Sequence, residues 1–510
     1  MTRPDLRPTP RVDGPDDWHR LSPWMIAVNP IQQLPQLVPV IIALVFAGRG
    51  APDVSVLITI IVVPLVTIVP WLVTRYQVTT DHVRVRSGLF TRKVATARRD
   101  RIRSVDLSAS PPQRMLRLKK VTIGTGGDKK TSALHLNAIS TADALALHDL
   151  LMVTAHPTPA GAPSAPAKPP EVLSRLQLPW LRFAPFSLTG LATAAAAFGL
   201  GIQFANEAGL FDRGASVAEH AAQQLEQVPT VVTVLVVLVL VVIIGAALSV
   251  SAYVLGFWNF TLTRHRDDHT LHVSRGLLTT NVMSLDEHRI RGVHCEQPVL
   301  MRPVGGARLH AIATGARKHP LLLPPAPVAE AVRVGQVVAH NGDELTTPLI
   351  PHGRPALVRR LTRGLSTGVV TAAIIVGLVI GPWSRSWSWS WSWSWSILAA
   401  AIVLASTALG VLRYRNLGHR VTTRSVVFAP PKLARHRNVI DRSGVVGWAS
   451  HASFFQRRRG VETLVLATAA GAEAYPAVDL ESHVAAAVMT EVSPELVAPF
   501  VVDGRKSASD

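Results

Sequence analysis

Hydrophobic and polar positions follow two regimes along this chain, and the pair of regimes occurs three times. Each cycle opens with uncharged apolar stretches and continues into an Arg-rich segment in which apolar residues recur at every second position. The uncharged stretches are 54–74, 228–253, 365–383, 396–412 and the Ala/Gly-rich 183–205. A sixth, 31–48, is interrupted by Pro35 and Pro39. About twenty apolar residues cross the ~30 Å hydrocarbon layer of a bilayer. None of these stretches carries the polar stripe of a helix buried in a water-soluble core. The pattern therefore predicts six transmembrane helices, paired as hairpins at 31–74, 183–255 and 365–412.

After each hairpin the period becomes two. In the first cycle Tyr76 and Val78 lead to Val83-Arg84-Val85-Arg86, and Gly88 turns the chain into Leu89-Phe90. That is a strand, a turn and a strand. Further strands are expected over 101–107, 121–123 and 134–136, with a turn at Pro111-Pro112. Ser140-Thr141 then caps a helix over 142–152, with Leu145, Leu150 and Leu151 available for burial. Helices at 329–339 and 480–492 close the later cycles. Several antiparallel strands and one C-terminal helix describe a small barrel plugged by a helix.

The three cycles align. At an offset of 188, Gly88-Leu89 meets Gly276-Leu277, Arg101-Ile102-Arg103-Ser104-Val105 meets Arg289-Ile290-Arg291-Gly292-Val293, and Arg114 meets Arg302. At an offset of 343, Thr79-Thr80 meets Thr422-Thr423 and Gln113-Arg114 meets Gln456-Arg457. A period this long means repeated domains and not a solenoid. The third copy departs where Pro430-Pro431 replaces the Gly-Leu turn and Gly444-Val445-Val446 replaces Arg-Ile-Arg.

The boundaries that follow are a basic N-terminus (1–30), hairpin 1 (31–74), domain 1 (75–153) and a Pro/Ala-rich linker (154–182). Hairpin 2 (183–255), domain 2 (256–345), a linker (346–364), hairpin 3 (365–412), domain 3 (413–495) and a tail (496–510) complete the chain. A pair of membrane helices, a Tyr-x-Val-Thr start at Tyr76, the Gly88-Leu89 hairpin, the Arg101-Ile102-x-x-Val105 strand and the Gln113-Arg114 segment resemble the membrane-flanked bacterial pleckstrin-homology (PH) family, in its three-copy, six-span YdbT-like form. The resemblance covers nearly all of 20–490. It implies an α+β membrane protein in which each hairpin is followed by a PH-like β-barrel with a C-terminal helix.

Charge sets the expected orientation. The connections within the three hairpins contain only Arg49, Arg213 and Arg385, and the other 49 of the 52 Lys and Arg residues lie on the opposite side. Positive charge is retained in the cytoplasm, so both termini and all three domains are expected to face inward in a bacterial inner membrane. Residues 1–30 contain no short apolar region before a small-residue cleavage site, so no cleaved signal is expected. The single cysteine, Cys295, excludes an internal disulfide framework. The alternating Trp and Ser of 383–395 read as a turn at the outer interface, where Trp places an apolar body and one polar N–H.

Catalytic signatures are missing: there is no HExxH, Walker loop, GxSxG or paired-Cys motif. His265, His269 and His272, beside Asp267 and Asp268, are the best metal-spaced group, though on a strand and turn they read as a polar hairpin. His288, His294 and Cys295 diverge on alternate strand positions. The apolar stretches contain no ionisable residue of the kind that transporters place in a bundle interior. A pI of 11.1 suits nucleic acid, but no aromatics interleave with the arginines to stack bases. No enzyme, cofactor or nucleic-acid role is therefore expected.

What remains is binding. The candidates are Arg101, Arg103, Arg114, Arg117, Lys119 and Lys120 in the first copy, with Arg289, Arg291 and Arg302 in the second. Anionic lipids attract juxtamembrane cations by about 1 kcal/mol per residue. Two readings stand side by side: these faces hold anionic headgroups or partner membrane proteins, or the charge only enforces orientation. The expected function is a non-enzymatic binding or scaffold module of the inner membrane. The alternative is a transporter or export component with a path through six helices.

Overall fold

A computed structural model of the chain describes residues 17–25, 71–88, 93–99, 104–124, 133–153, 169–187, 230–266, 269–315, 319–339, 343–380 and 393–500, with a few isolated positions between them. It divides into two compact units. The first comprises 1–178, 251–289 and 315–317, and the second 179–250, 290–314 and 318–510.

In the first unit a short strand β1 (His19–Arg20) joins β2 (Arg75–Val78), β3 (His82–Ser87) and β4 (Lys93–Arg98) in a four-stranded antiparallel sheet, ordered β1-β2-β3-β4. Alternation does what the pattern requires: Val83 and Val85 on β3 are buried, while Arg84 and Arg86 stay partly exposed. A second, seven-stranded sheet contains β5 (Ser104–Ala109), β6 (Leu118–Gly124), β7 (Ala133–Ser140), β8 (Glu171–Arg175), β9 (Thr261–His265), β10 (Thr270–Arg275) and β11 (Thr280–Asp286). Its order is β7-β6-β5-β11-β10-β9-β8. Helix α1 (Thr141–Val153) closes the first copy.

Val105, Val121, Ile123 and Leu136 of one sheet share a core with Val83 and Val85 of the other, and with Ala144, Leu147 and Leu151 of α1. Burying each Val, Leu or Ile contributes about 1.5–3 kcal/mol. Leu145, expected inside, is exposed, because the buried stripe of α1 runs through Ala144, Leu147 and Leu151.

The second unit holds a six-stranded sheet ordered β14-β13-β12-β17-β16-β15, made of β12 (Ile290–Gln297), β13 (Gly306–Ala313), β14 (Leu321–Pro327), β15 (Gly418–Val421), β16 (Ser425–Ala429) and β17 (Arg435–Asp441). A three-stranded sheet follows, β18 (Val445–His451), β19 (Val461–Thr468) and β20 (Ala474–Glu481). Among the described residues, five longer helices follow α1: α2 (Thr230–Phe257), α3 (Val328–Ala339), α4 (Gly353–Ile380), α5 (Trp393–Arg415) and α6 (Ser482–Val492). Phe428, Ile440, Leu464, Leu466, Leu480 and Val488 lie in the core beneath α6.

The copies are not self-contained barrels. Strand β5 of copy 1 pairs with β11 of copy 2, and β12 of copy 2 pairs with β17 of copy 3. Each inter-copy junction is a continuous antiparallel sheet. Residues 171–175, expected within a linker, form β8 on the edge of the first of these sheets. The linker expected at 346–364 includes the first turns of α4.

Two described helices are long and apolar enough to cross a membrane, Val239–Phe257 and Trp395–Arg415. Six transmembrane helices are therefore not supported: among the described residues two of the expected spans are helices of that kind. Residues 31–48 and 54–70, most of 183–205, and 381–392 with much of the Trp-Ser run lie outside the described residues. The stretch 365–380 is the C-terminal part of α4. Along α2, Val231, Val236, Leu240, Val242 and Ile243 are exposed, as apolar residues are at membrane or protein interaction surfaces.

Helices α4 and α5 pack by close backbone approach. A Cβ on Gly364 would come 2.8 Å from the Ser406 carbonyl oxygen, and one on Gly410 would come 2.7 Å from that of Arg360. The Ser406 hydroxyl donates to the Gly364 carbonyl at 2.7 Å. Gly364 and Gly368, four apart, give the small-residue seam typical of helices associating in lipid.

Candidate functional site

Repeated sequence motifs turn out to be local braces. In the first copy Gln113 is buried and its side-chain oxygen accepts from the Ser110 amide at 2.9 Å; Gln456 does the same for Ser453. Thr79 accepts from His82 N and donates to His82 O, as Thr422 does with Ser425. Gly276 needs its glycine: φ is +111°, and a Cβ would sit 2.0 Å from the Thr279 carbonyl oxygen.

That Gly276 hairpin docks on the end of α2. Gly276 N donates to Trp258 O at 2.9 Å, and Leu277 N donates to Leu255 O at 3.0 Å. Between the hairpin and the helix end lies a concavity of about 230 Å³ whose lining includes Arg114, Arg275, Trp258, Asn259 and Ser274. Arg114 is exposed and donates to the Leu277 carbonyl at 2.9 Å. The Arg275 guanidinium sits over the Phe257 ring, 5.3 Å from its centre, and burial lowers its pKa from the ordinary value. A partly desolvated guanidinium gains more from an anion than one in open water. Met115, Trp258, Leu277 and Leu278 are exposed large apolar residues nearby in sequence. The arrangement is a cationic cup whose lining also includes the exposed apolar Trp258 and Leu277.

The expected site residues do not converge on one patch. Arg101 and Arg103 lie outside the described residues. Arg114 reaches the cup. Arg117 adopts φ +53°, and its carbonyl accepts from the amide and hydroxyl of Thr141, holding the start of α1. Lys119 and Lys120 are partly exposed on β6, with burial lowering the pKa of Lys119. Arg289 pairs with Asp286 at 3.2 Å and donates to Ile102 O at 3.3 Å, a structural tie. Arg291 packs against Gly444, and Arg302 donates to Asn416 Oδ1 at 3.5 Å. Sequence reasoning missed Arg275. Its place directly before the Gly-Leu turn, and close after an apolar helix, was the available signal.

The metal-spaced histidines also disperse. Both ring nitrogens of His272 are within hydrogen-bond range of hydroxyls, Ser284 at 2.8 Å and Thr270 at 3.1 Å, while the His269 ring lies tilted against that of His288. Another group forms across strands. His294 and Glu296 share one face of β12, and Glu296 lies opposite His436 of β17, so the three bring ligand atoms within 4.8 Å of one another. His294 Nε2 is 3.4 Å from His436 Nδ1, and His294 Nδ1 lies 2.5 Å from Asn438 Oδ1. His310, opposite His294 on β13, has Nδ1 3.1 Å from the His319 carbonyl. Burial, reinforced by neighbouring histidines, lowers the His294 pKa to about 3. Burial, with Lys432 adding to it, lowers that of His436 to about 4. Cys295 points to the other face, and burial pushes its thiol up to about 12.

The sequence model for the bacterial PH domain matches the chain three times, at 31–153, 220–340 and 363–494. No curated protein and no solved structure matches it.

Proposed function

The chain belongs to the bacterial PH domain family, and on that premise we propose that it is a multi-pass inner-membrane scaffold whose PH-like modules hold anionic lipid headgroups on the cytoplasmic side. The observation that carries this reading is the Arg114–Arg275 cup at the C-terminal end of the apolar helix α2. A helix that spans the bilayer ends at headgroup depth, where phosphate is the abundant anion. Trp258 there matches the preference of indole for the interface. What supports six spans is the set of uncharged apolar stretches, and what supports inward-facing termini is the charge distribution of the sequence.

The test uses the intact protein, because β5 and β11 bind two copies into one sheet. Purified in neutral detergent, the chain should gain thermal stability from phosphatidylglycerol and none from phosphatidylcholine. Arg275→Gln combined with Arg114→Gln should remove most of that gain. Equal stabilisation by both lipids, or a gain unchanged in the double variant, defeats the reading.

A further inference from the structure

The two inter-copy junctions share one register. Numbered by the repeat, with offsets of 188 and 343, Met283↔Asp106 at the first junction and Asn438↔His294 at the second are the same pair. The pairs beside them, Val282↔Leu107 and Arg437↔Cys295, also coincide. Each junction is a third strand of one copy meeting a fourth strand of the copy before it. Three copies in a row leave one member of each kind over. Strand β4 is the counterpart of β11 and β17, and β18 is the counterpart of β5 and β12. Among the described residues, β4 and β18 each end their sheets.

We infer that β18 of one chain adds to β4 of a second copy, extending the repeat head to tail beyond the single polypeptide. The shared register names the pairs: Val94↔Ser450, Ala95↔Ala449, Thr96↔Trp448 and Ala97↔Gly447. The β18 edge suits this, and β4 carries charge only at its two ends, Lys93 and Arg98. Strand β18 carries no Asp, Glu, Lys or Arg, and Val446 on it is 64% exposed. Exposed, uncharged edges are what monomeric proteins normally blunt with charge or proline. Phe454 and Phe455, just after β18, are 63% and 71% exposed, where copy 1 has Pro111 and Pro112. The arginine of the Gln-Arg segment adds a second, independent sign. Arg114 and Arg302 both reach into the following copy, and their counterpart Arg457 is exposed after the last one. Such a contact is heterologous, so it propagates until it closes or stops.

The experiment mixes two differently tagged full-length chains, both Cys295→Ala, one Ala95→Cys and the other Ala449→Cys, in one membrane. Facing residues of an antiparallel pair lie ~4.5–5.5 Å apart at Cα, within reach of a disulfide. Mild oxidation should give the mixed dimer, with far less when Ala449→Cys is replaced by Glu462→Cys on the neighbouring strand. Ala449→Pro should abolish multimers in light scattering while leaving the melting temperature within a few degrees. A monodisperse monomer, or cross-linking only between two Ala95→Cys chains, overturns the inference.

The histidine cluster carries a second inference independently. We propose that His294, His436 and Glu296, whose ligand atoms lie within 4.8 Å of one another, bind a divalent transition metal such as zinc. Imidazole and carboxylate donors suit zinc, nickel and cobalt. The contact of His294 Nδ1 with the Asn438 amide oxygen is of the kind that orients a metal-binding histidine. The untagged full-length chain, stripped by chelator, should take up one Co²⁺ with visible absorption and one Zn²⁺ in competition with a dye. His436→Ala and Glu296→Gln should each weaken uptake at least tenfold, and Zn²⁺ should raise the melting temperature of the parent only. Uptake below one equivalent, or undiminished in His436→Ala, overturns it.

Discussion

Asp479 offers the sharpest test of how the third module is fastened to α4. Its side chain is fully buried and accepts from Arg359, from Arg360 at 2.5 Å, and from Gln456 Nε2 at 3.0 Å. Arg359 and Arg360 lie near the start of α4, so this carboxylate ties that helix to β20. Burial lowers the Arg360 pKa, and Asp479 partly restores it, so the pair stands or falls together. Removing one partner of a buried ion pair costs about 3–5 kcal/mol, because the other charge is left without compensation. The backbone lets two effects be separated. Asp479 has φ +61°, which Asn tolerates and Ala does not. Asp479→Asn therefore isolates the lost charge, and Asp479→Ala adds roughly 1–2 kcal/mol of left-handed strain. Urea unfolding followed by tryptic cleavage after Arg359 or Arg360 reports the local opening free energy. A loss under about 1 kcal/mol for the Asn variant, or no further loss for Ala, would refute the reasoning.

Acid should destabilise the second unit in a defined window. His294 has its pKa lowered to about 3, and His436 and His352 theirs to about 4, burial being the main cause in each. The unfolded chain binds these protons near pH 6.5 and the folded chain does not. Stability should thus be flat above that value and fall below it toward pH 4, by at most ~1.4 kcal/mol per pH unit for each histidine. Melting temperatures from pH 8 to 5 check this, and a rise on acidification contradicts it. Gly364→Leu should push α5 away from α4, because no Cβ fits against Ser406. The melting temperature of this variant should fall below that of the parent, whereas Gly377→Leu, whose Cβ would meet nothing within 4 Å, should leave it unchanged; equal effects of the two would contradict this.

Much of the fold was legible because period and punctuation have local causes. Val83 and Val85 announce a half-buried strand, and Gly88 and Gly276 mark turns at positive φ. The Gln113 and Gln456 motif was visible as a repeat, and its capping role needed coordinates. What stayed hidden was set by pairing between distant segments. Nothing local to β5 or β11 says that they join, and the joining removed the self-contained barrels the repeat had suggested. The same holds for chemistry. Arg114 was visible, but its neighbour Arg275 is brought in by β10, and His436 meets Glu296 only through the β12–β17 register. The triplet His265, His269 and His272 looked like a metal set in sequence, yet hydroxyls occupy His272.

The account depends most on modules tethered inside the cell by apolar helices. In a Cys295→Ala background, single cysteines at exposed Arg117, Arg333 and Arg457 should resist a membrane-impermeant maleimide in intact cells, react after permeabilisation, and remain in the pellet after carbonate washing. Labelling of any of the three in intact cells, or release of the chain by carbonate, would contradict it.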